Sequence, residues 1–324
     1  MASEPVTPAV TPPGTPPVAL RPSDGGSSQV SRYRRDLAAA RRRLAAPPAP
    51  LRTVSTPQGA VEYLDLGEGT PVLVVHGNNG GWDQAADWSR RRLGPGHRTI
   101  AVSRYGYLGS ELPPGATTTG QADALAALLD ALSLDRAHVV SLSAGSMAAA
   151  RLALSHRDRV ERLVLESPVL PAARPLRLPP TFVLRAMLRS ERPTWLTTVR
   201  PSLVARASGV GWTNLDADGQ AELAEIMTTL LPVHPRRAGM IFDNVVTAPE
   251  MLADQLPWEE ISVPTLVVTA EDSPLPRPAA ARAVVDRLPR GNLLVLPRGG
   301  HLLLGNIGPL RAALAAFLTD ITPR

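Results

Sequence analysis

Apolar residues recur along the chain in two alternating rhythms. The unbroken apolar run at 71–75 has the length and the β-branched content of a strand buried on both faces, and the apolar-rich segments 99–103, 137–142, 160–166 and 263–269 read as strands beside it. Segments 52–56 and 60–66, around the Pro57-Gln58-Gly59 turn, read as two further strands, and 292–296 as the last. Between the strands the spacing changes. Residues 121–132 set Leu125, Leu128, Leu129 and Leu132 on one helical face, and 85–92, 144–155, 278–288 and 307–318 also read as helices. Strand and helix in alternation predict an α/β fold, a mostly parallel eight-stranded sheet with helices on both faces. The alternation stops at Pro168. From there to Glu260 the chain offers helix-like pieces separated by Pro and Gly and no strong strand. The pattern therefore divides the chain into a core over 51–167 and 261–324, a helical cap over 168–260, and an N-terminal arm over 1–50.

The arm differs in composition. Residues 1–30 are rich in Pro, Gly, Ser and Thr with almost no apolar period, and the whole of 1–50 reads as a disordered Pro/Arg-rich arm. Within it, 31–46 has the pattern of a short arginine-rich helix stopped by Pro47-Pro48. The plain expectation is a solvated segment, and the alternative is a tether to an anionic surface or a partner. Residues 1–52 hold eight arginines against three acids, which equals the +5 net charge of the chain. The rest is neutral on balance, so a nucleic-acid-binding catalytic domain is not expected. All 34 basic residues are arginine, as in a high-GC bacterial coding bias, so the high isoelectric point carries little weight. There is no cysteine, hence no disulfide and no thiolate chemistry. No apolar run approaches the ~20 residues of a membrane span, and early prolines interrupt any signal-peptide core. A cytoplasmic protein is the expectation.

Candidate chemistry begins where strand 137–142 runs into Ser141-Leu142-Ser143-Ala144-Gly145 and then a helix-forming stretch. Small residues two before and two after a serine allow the sharp strand–turn–helix that exposes its hydroxyl at a helix N-terminus. A serine nucleophile needs a base, and the base needs a group that sets its tautomer. Strand 263–269 leads to the carboxylate pair Glu271-Asp272, and strand 292–296 leads through Gly299-Gly300 to His301. Glu166, at the end of another strand, is an alternative acid. The backbone N–H of Ala144 and that of Asn78, in the His76-Gly77-Asn78-Asn79-Gly80-Gly81 loop, supply an oxyanion hole. No metal site and no phosphate loop stand out, so no cofactor is expected.

These stretches resemble the α/β-hydrolase fold superfamily, in particular its capped serine hydrolases, over about 51–321. The elbow, the His76-Gly77 loop, the loop from Ser103 to Ser110, the strand before the acid and the Asp272–Pro276 loop all carry the likeness. It departs at Ser141 and Ser146, where the family more often has glycine. The resemblance implies a triad of Ser143, Asp272 and His301, with Asn78 and Ala144 as oxyanion donors and His76 as a support of its loop. It also implies an α/β-hydrolase sheet and an acyl-enzyme route. The expected activity is a carboxylic ester hydrolase acting on a small, hydrophobic acyl substrate. Asn79, Trp82, Tyr105, Trp195 and Trp212 are expected to line the pocket. The same triad also serves cofactor-free perhydrolase (haloperoxidase-like) or C–C bond hydrolase chemistry. A non-catalytic binding protein with an interaction arm is the reading of another class.

Overall fold

The protein is seen here as a computed structural model that describes residues 25–171 and 178–319. A long helix, α1 (Gly25–Ala45), precedes the sheet. The eight strands are β1 (Arg52–Thr56), β2 (Gly59–Leu66), β3 (Thr70–Val75), β4 (His97–Val102), β5 (Ala137–Leu142), β6 (Val160–Glu166), β7 (Thr265–Ala270) and β8 (Gly291–Leu296). They form one sheet in the order β1-β2-β4-β3-β5-β6-β7-β8. β1–β2 and β2–β4 pair antiparallel and all other neighbours parallel. The expected eight-stranded, mostly parallel sheet is present.

Successive residues of a strand face opposite sides, so each central strand feeds two cores. Leu73 and Val75 join Ile100, Val139, Leu163 and Val267 under α3 (Thr118–Ala131), α4 (Ser146–Ser155) and α11 (Pro278–Val285). Val72 and Val74 join Ala101, Val140, Val164 and Val268 against α2 (Trp82–Arg92) and α12 (Ile307–Thr319). Burial on both faces is why β3 carries a continuous apolar run over 71–75.

Among the described residues between β6 and β7 lie six α-helices: α5 (Thr181–Met187), α6 (Arg192–Thr198), α7 (Pro201–Ala207), α8 (Ala217–Thr228), α9 (Arg237–Phe242) and α10 (Ala248–Leu252), with a π turn over Asp243–Thr247. Pro and Gly keep them short.

The arm departs from expectation. The helix expected over 31–46 is present and begins earlier, at Gly25, so residues 25–45 are not part of a disordered arm; residues 1–24 lie outside the described residues. α1 ends just before Pro47-Pro48, as its sequence requires. Its order has a tertiary cause. Tyr33, Leu37, Ala40 and Leu44 recur at helical spacing; Leu37 and Ala40 are buried, and Ala40 packs with Leu188, Trp195, Leu231 and Val233 of the cap. The Tyr33 ring meets Trp195 edge-on at 5.3 Å, and the Trp195 indole N–H donates to Asp36 at 2.9 Å.

Candidate active site

The strand order reverses at β3, whose neighbours are β4 on one side and β5 on the other. In a parallel sheet the loops leaving such a reversal diverge and open a crevice at the carboxyl ends of the strands. Val75 pairs with Ser141, so the loop after β3 and the turn after β5 start side by side.

Ser143 sits in that turn with φ 47, a left-handed conformation costly for a residue with a Cβ. One helical turn follows over Ser143–Gly145, then α4. The neighbours explain the small residues. A Cβ on Gly145 would lie 2.5 Å from the carbonyl oxygens of both Val75 and His76, so only glycine fits. Ser141 is fully buried, its Oγ 3.2 Å from both Ser146 Oγ and the Val164 carbonyl, which removes both serines as nucleophiles. The Ser143 hydroxyl lies 2.9 Å from Nε2 of His301. Ala144 lies in this first helical turn, where backbone amides lack intrahelical acceptors. Gly77 approaches the serine so closely that a Cβ there would be 3.3 Å from Ser143 Cβ. Asn78 follows and is exposed, its backbone amide outside the hydrogen bonds of the described residues.

His301 is placed by backbone. Gly299 and Gly300 have φ of 126 and 61, and a side chain on Gly300 would collide with the Ser208 carbonyl at 2.2 Å. The His301 amide donates to that same carbonyl at 2.7 Å. Nδ1 of the imidazole is hydrogen-bonded to the Leu275 carbonyl. A carbonyl only accepts, so Nδ1 carries the proton and Nε2 presents its lone pair to Ser143. Burial lowers the His301 pKa from its ordinary value, the Leu275 carbonyl opposing, and the imidazole is kept neutral.

The acid departs from the expected arrangement. Asp272 does not hydrogen-bond His301 among the described residues. Its carboxylate accepts from the amides of Gly300 at 2.8 Å and Gly299 at 3.2 Å. The two amides of the glycine turn satisfy the carboxylate, and the Leu275 carbonyl occupies the Nδ1 position. Asp272 thus holds the turn that carries His301. Glu271 is exposed. Glu166 is buried elsewhere, 2.5 Å from the Trp88 indole nitrogen and 3.6 Å from Arg92, with its pKa raised by burial.

The loop after β3 is locked from below. Nδ1 of His76 is 2.6 Å from the Gly77 carbonyl, and Nε2 accepts from the Arg104 amide at 2.9 Å. That bonding fixes the neutral tautomer. Burial and the Arg104 charge drive the His76 pKa well below its ordinary value. The fully buried Arg104 guanidinium donates to the carbonyls of His76 and Gly77 at 2.8 and 3.1 Å and makes two bonds to Asp243 at 2.7 and 2.6 Å. Tyr107 Oη lies 2.6 Å from Asp243 and 3.1 Å from the Asn78 side-chain oxygen. A second pair runs in the opposite sense. Arg236 of the cap makes two bonds to Asp83 of α2 at 2.9 and 2.8 Å and also donates to the Gly80 carbonyl. Arg43 of α1 adds a 3.4 Å contact to Asp83 and donates to the Leu231 carbonyl at 2.7 Å. The segment between β6 and β7 and the core are therefore joined at the loop after β3 by two buried Arg–carboxylate forks, the geometry in which such pairs bind most strongly.

The pocket residues expected from sequence fare differently. Trp82 packs in the core layer of α2 and α12. Tyr105 is buried under α3, its hydroxyl 2.8 Å from the carbonyls of Gln58 and Gly120. Trp195 is spent on α1. The Asn79 side chain is buried and donates to the Leu230 carbonyl at 3.2 Å. Trp212 is half-buried and, like Val204, Ile226, Leu230 and Leu302, packs against the cluster of Ala205, Val210, Leu215, Leu223, Met227 and Leu304; Leu302 is adjacent to His301 in sequence. Ser208, Asp243 and Arg236 were not foreseen: the side-chain bonds that tie them to the site span 94 to 156 positions in sequence, with no local pattern to mark them.

Comparison with known proteins agrees with this fold. The model of the alpha/beta hydrolase family matches residues 72–311. An alpha/beta hydrolase fold protein from Nakamurella multipartita superposes with a TM-score of 0.64 at 30% identity, covering 83% of this chain and 99% of that one. The enol-lactonase of Burkholderia xenovorans LB400 shares the fold, with a TM-score of 0.61 at 18% identity, covering 83% of this chain and 100% of that one. The 2-hydroxy-6-oxo-6-phenylhexa-2,4-dienoate hydrolase of Comamonas testosteroni is 32% identical over 116 residues, 33% of this chain and 40% of the relative. The chain thus spans about two fifths of the length of the curated relatives it matches.

Proposed function

The chain belongs to the alpha/beta hydrolase family, and on that premise we propose that it is a serine hydrolase cleaving an ester or related acyl bond of a small hydrophobic substrate. The observation that carries this reading is the 2.9 Å contact between Ser143 Oγ and a His301 whose other nitrogen is held by a carbonyl. Ser143 Oγ attacks the acyl carbon as its proton passes to Nε2. The backbone N–H groups of Asn78 and Ala144 receive the oxyanion, each such donor contributing about 3–4 kcal/mol of transition-state stabilisation. His301 then returns the proton to the leaving group, and water activated by the same nitrogen releases the acyl-enzyme. Asp272 holds the glycine turn that carries His301. The half-buried Trp212, Ile226, Leu230 and Leu302 support an apolar acyl group.

The dienoate hydrolase relative favours a second reading, cleavage of a carbon–carbon bond beside a ketone by the same serine and histidine. One experiment addresses both. A fluorophosphonate probe is expected to add its mass to the wild type and not to Ser143→Ala, while hydrolysis of activated esters of increasing chain length is compared with cleavage of a vinylogous 1,5-diketone. Labelling that persists in Ser143→Ala would refute the nucleophile, and turnover of the diketone alone would replace the ester reading by the second.

A further inference from the structure

One large charged and apolar surface is not used by the chemistry above. Helices α1, α5 and α6 meet at one apolar cluster, in which Tyr33 and Ala40 join Leu184, Leu188, Trp195 and Val199; α7 follows α6 after two residues. The outward faces of these helices are unusual in two independent ways. First, they are cationic. Residues 29–45 and 178–210 together hold eleven arginines against two acids, which leaves twenty-three arginines against twenty-seven acids in the rest of the chain. On α1 the arginines that do not face the cap, Arg32, Arg34, Arg35, Arg41 and Arg42, are all exposed, as are Arg185, Arg189, Arg192, Arg200 and Arg206 of the cap. Second, they are apolar. Of the seven large hydrophobic side chains exposed among the described residues, Phe182, Met187, Leu196 and Leu203 lie on α5–α7, and Phe182 is 75% exposed. Exposed Val245 follows Asn244, which donates to the Pro179 carbonyl just before α5. Val30 sits on α1.

We propose that this face docks the protein on an anionic lipid surface, with the arginines against the headgroups and Phe182, Met187, Leu196 and Leu203 in the acyl boundary. The pairing of both features selects this occupant. A polyanion such as nucleic acid would be met by the arginines alone and leaves four exposed apolar side chains without a role. A second copy of this chain would bring the same cationic face against itself, and like charges oppose that contact. A bilayer with anionic headgroups over hydrocarbon matches the two together. The net negative remainder of the chain orients the molecule with this face toward the surface. The fold explains why α1 stays on the protein: its apolar stripe is already buried against the cap, so its basic face alone remains for the lipid. No helix among the described residues is long and apolar enough to cross a membrane, so the attachment is peripheral.

The test is co-sedimentation of the full chain with vesicles of phosphatidylcholine alone, and of phosphatidylcholine mixed with phosphatidylglycerol, at low and at physiological salt. Binding is expected only to the mixed vesicles, weakened by salt. Each arginine near the surface contributes about a fivefold factor, so Arg34→Glu, Arg35→Glu, Arg41→Glu and Arg42→Glu together should lower the partition by about a hundredfold or more. Phe182→Ser with Leu203→Ser should lower it by about tenfold or more while leaving ester hydrolysis in solution and the melting temperature unchanged. Equal binding to both vesicle types, or to neither, would overturn the proposal. So would retained binding in the serine pair, or a dimer in sedimentation that the same substitutions dissociate.

Discussion

Replacing Asp272 by asparagine probes the feature in which this site differs from the arrangement its sequence implies. Where a carboxylate alone holds the Nδ1 proton, its amide costs about 10⁴ in kcat, because the histidine adopts the wrong tautomer. Here the Leu275 carbonyl holds that proton and Asp272 is bonded to the Gly299 and Gly300 amides. In Asp272→Asn the new side-chain oxygen can still accept one of those two N–H groups. The other amide faces an NH2 group, and a charge-assisted bond of about 1.5–3 kcal/mol is lost. If that loss is expressed wholly in the transition state, kcat/KM falls by about 10- to 150-fold. The assay is steady-state hydrolysis of a p-nitrophenyl ester by wild type and Asp272→Asn, with circular dichroism and melting to show that the fold is kept. A loss near 10⁴ in a folded variant, the magnitude for a carboxylate that sets the tautomer, would mean that Asp272 reaches Nδ1 in the working enzyme, and the carbonyl-held tautomer would be wrong.

Three other outcomes follow from the same geometry. Burial depresses the His301 pKa, so protonation abolishes the base only below its ordinary range; the acid limb of kcat/KM should have its midpoint under about pH 6.5, and a midpoint above about 7 would contradict the burial effect. Asp243→Ala leaves Arg104 charged and buried without a counter-charge, which should cost about 3–5 kcal/mol of unfolding free energy in denaturant titration; because Arg104 also donates to the His76 and Gly77 carbonyls, kcat should fall in whatever protein remains folded. Removing residues 1–46 uncovers Trp195 and Leu231 and strips Arg43 from Asp83, so the melting temperature should drop by several degrees, whereas a freely solvated arm would leave it unchanged.

The elements of the core were legible because their cause is local. A strand covered on both faces must be apolar throughout, and a helix lying on a sheet must repeat its apolar residues at helical spacing, so runs such as 71–75 and faces such as that of Leu125, Leu128 and Leu129 announce themselves. The elbow was legible for the same reason: Gly145 faces two backbone carbonyls across a tight turn, and that steric demand is written in one residue. The acid was readable only as a residue type at a strand end. Which of its neighbours the carboxylate bonds depends on the path of two loops, and no spacing encodes it.

By itself, then, the amino-acid sequence determined the alternating architecture, the strained serine and the order in which serine, acid and histidine appear. The tertiary structure alone decided what lies between elements distant along the chain. It set the Leu275 carbonyl on His301, joined Arg104 to Asp243 and Arg236 to Asp83 across the cap boundary, and gave α1 the apolar surface that keeps it folded. An arginine-rich helix draws its stability in water chiefly from the packing of its apolar face, so its own residues do not declare it ordered. Its order depends on Trp195 and Leu188, far along the chain in the cap, which is why local pattern assigned it to a disordered arm.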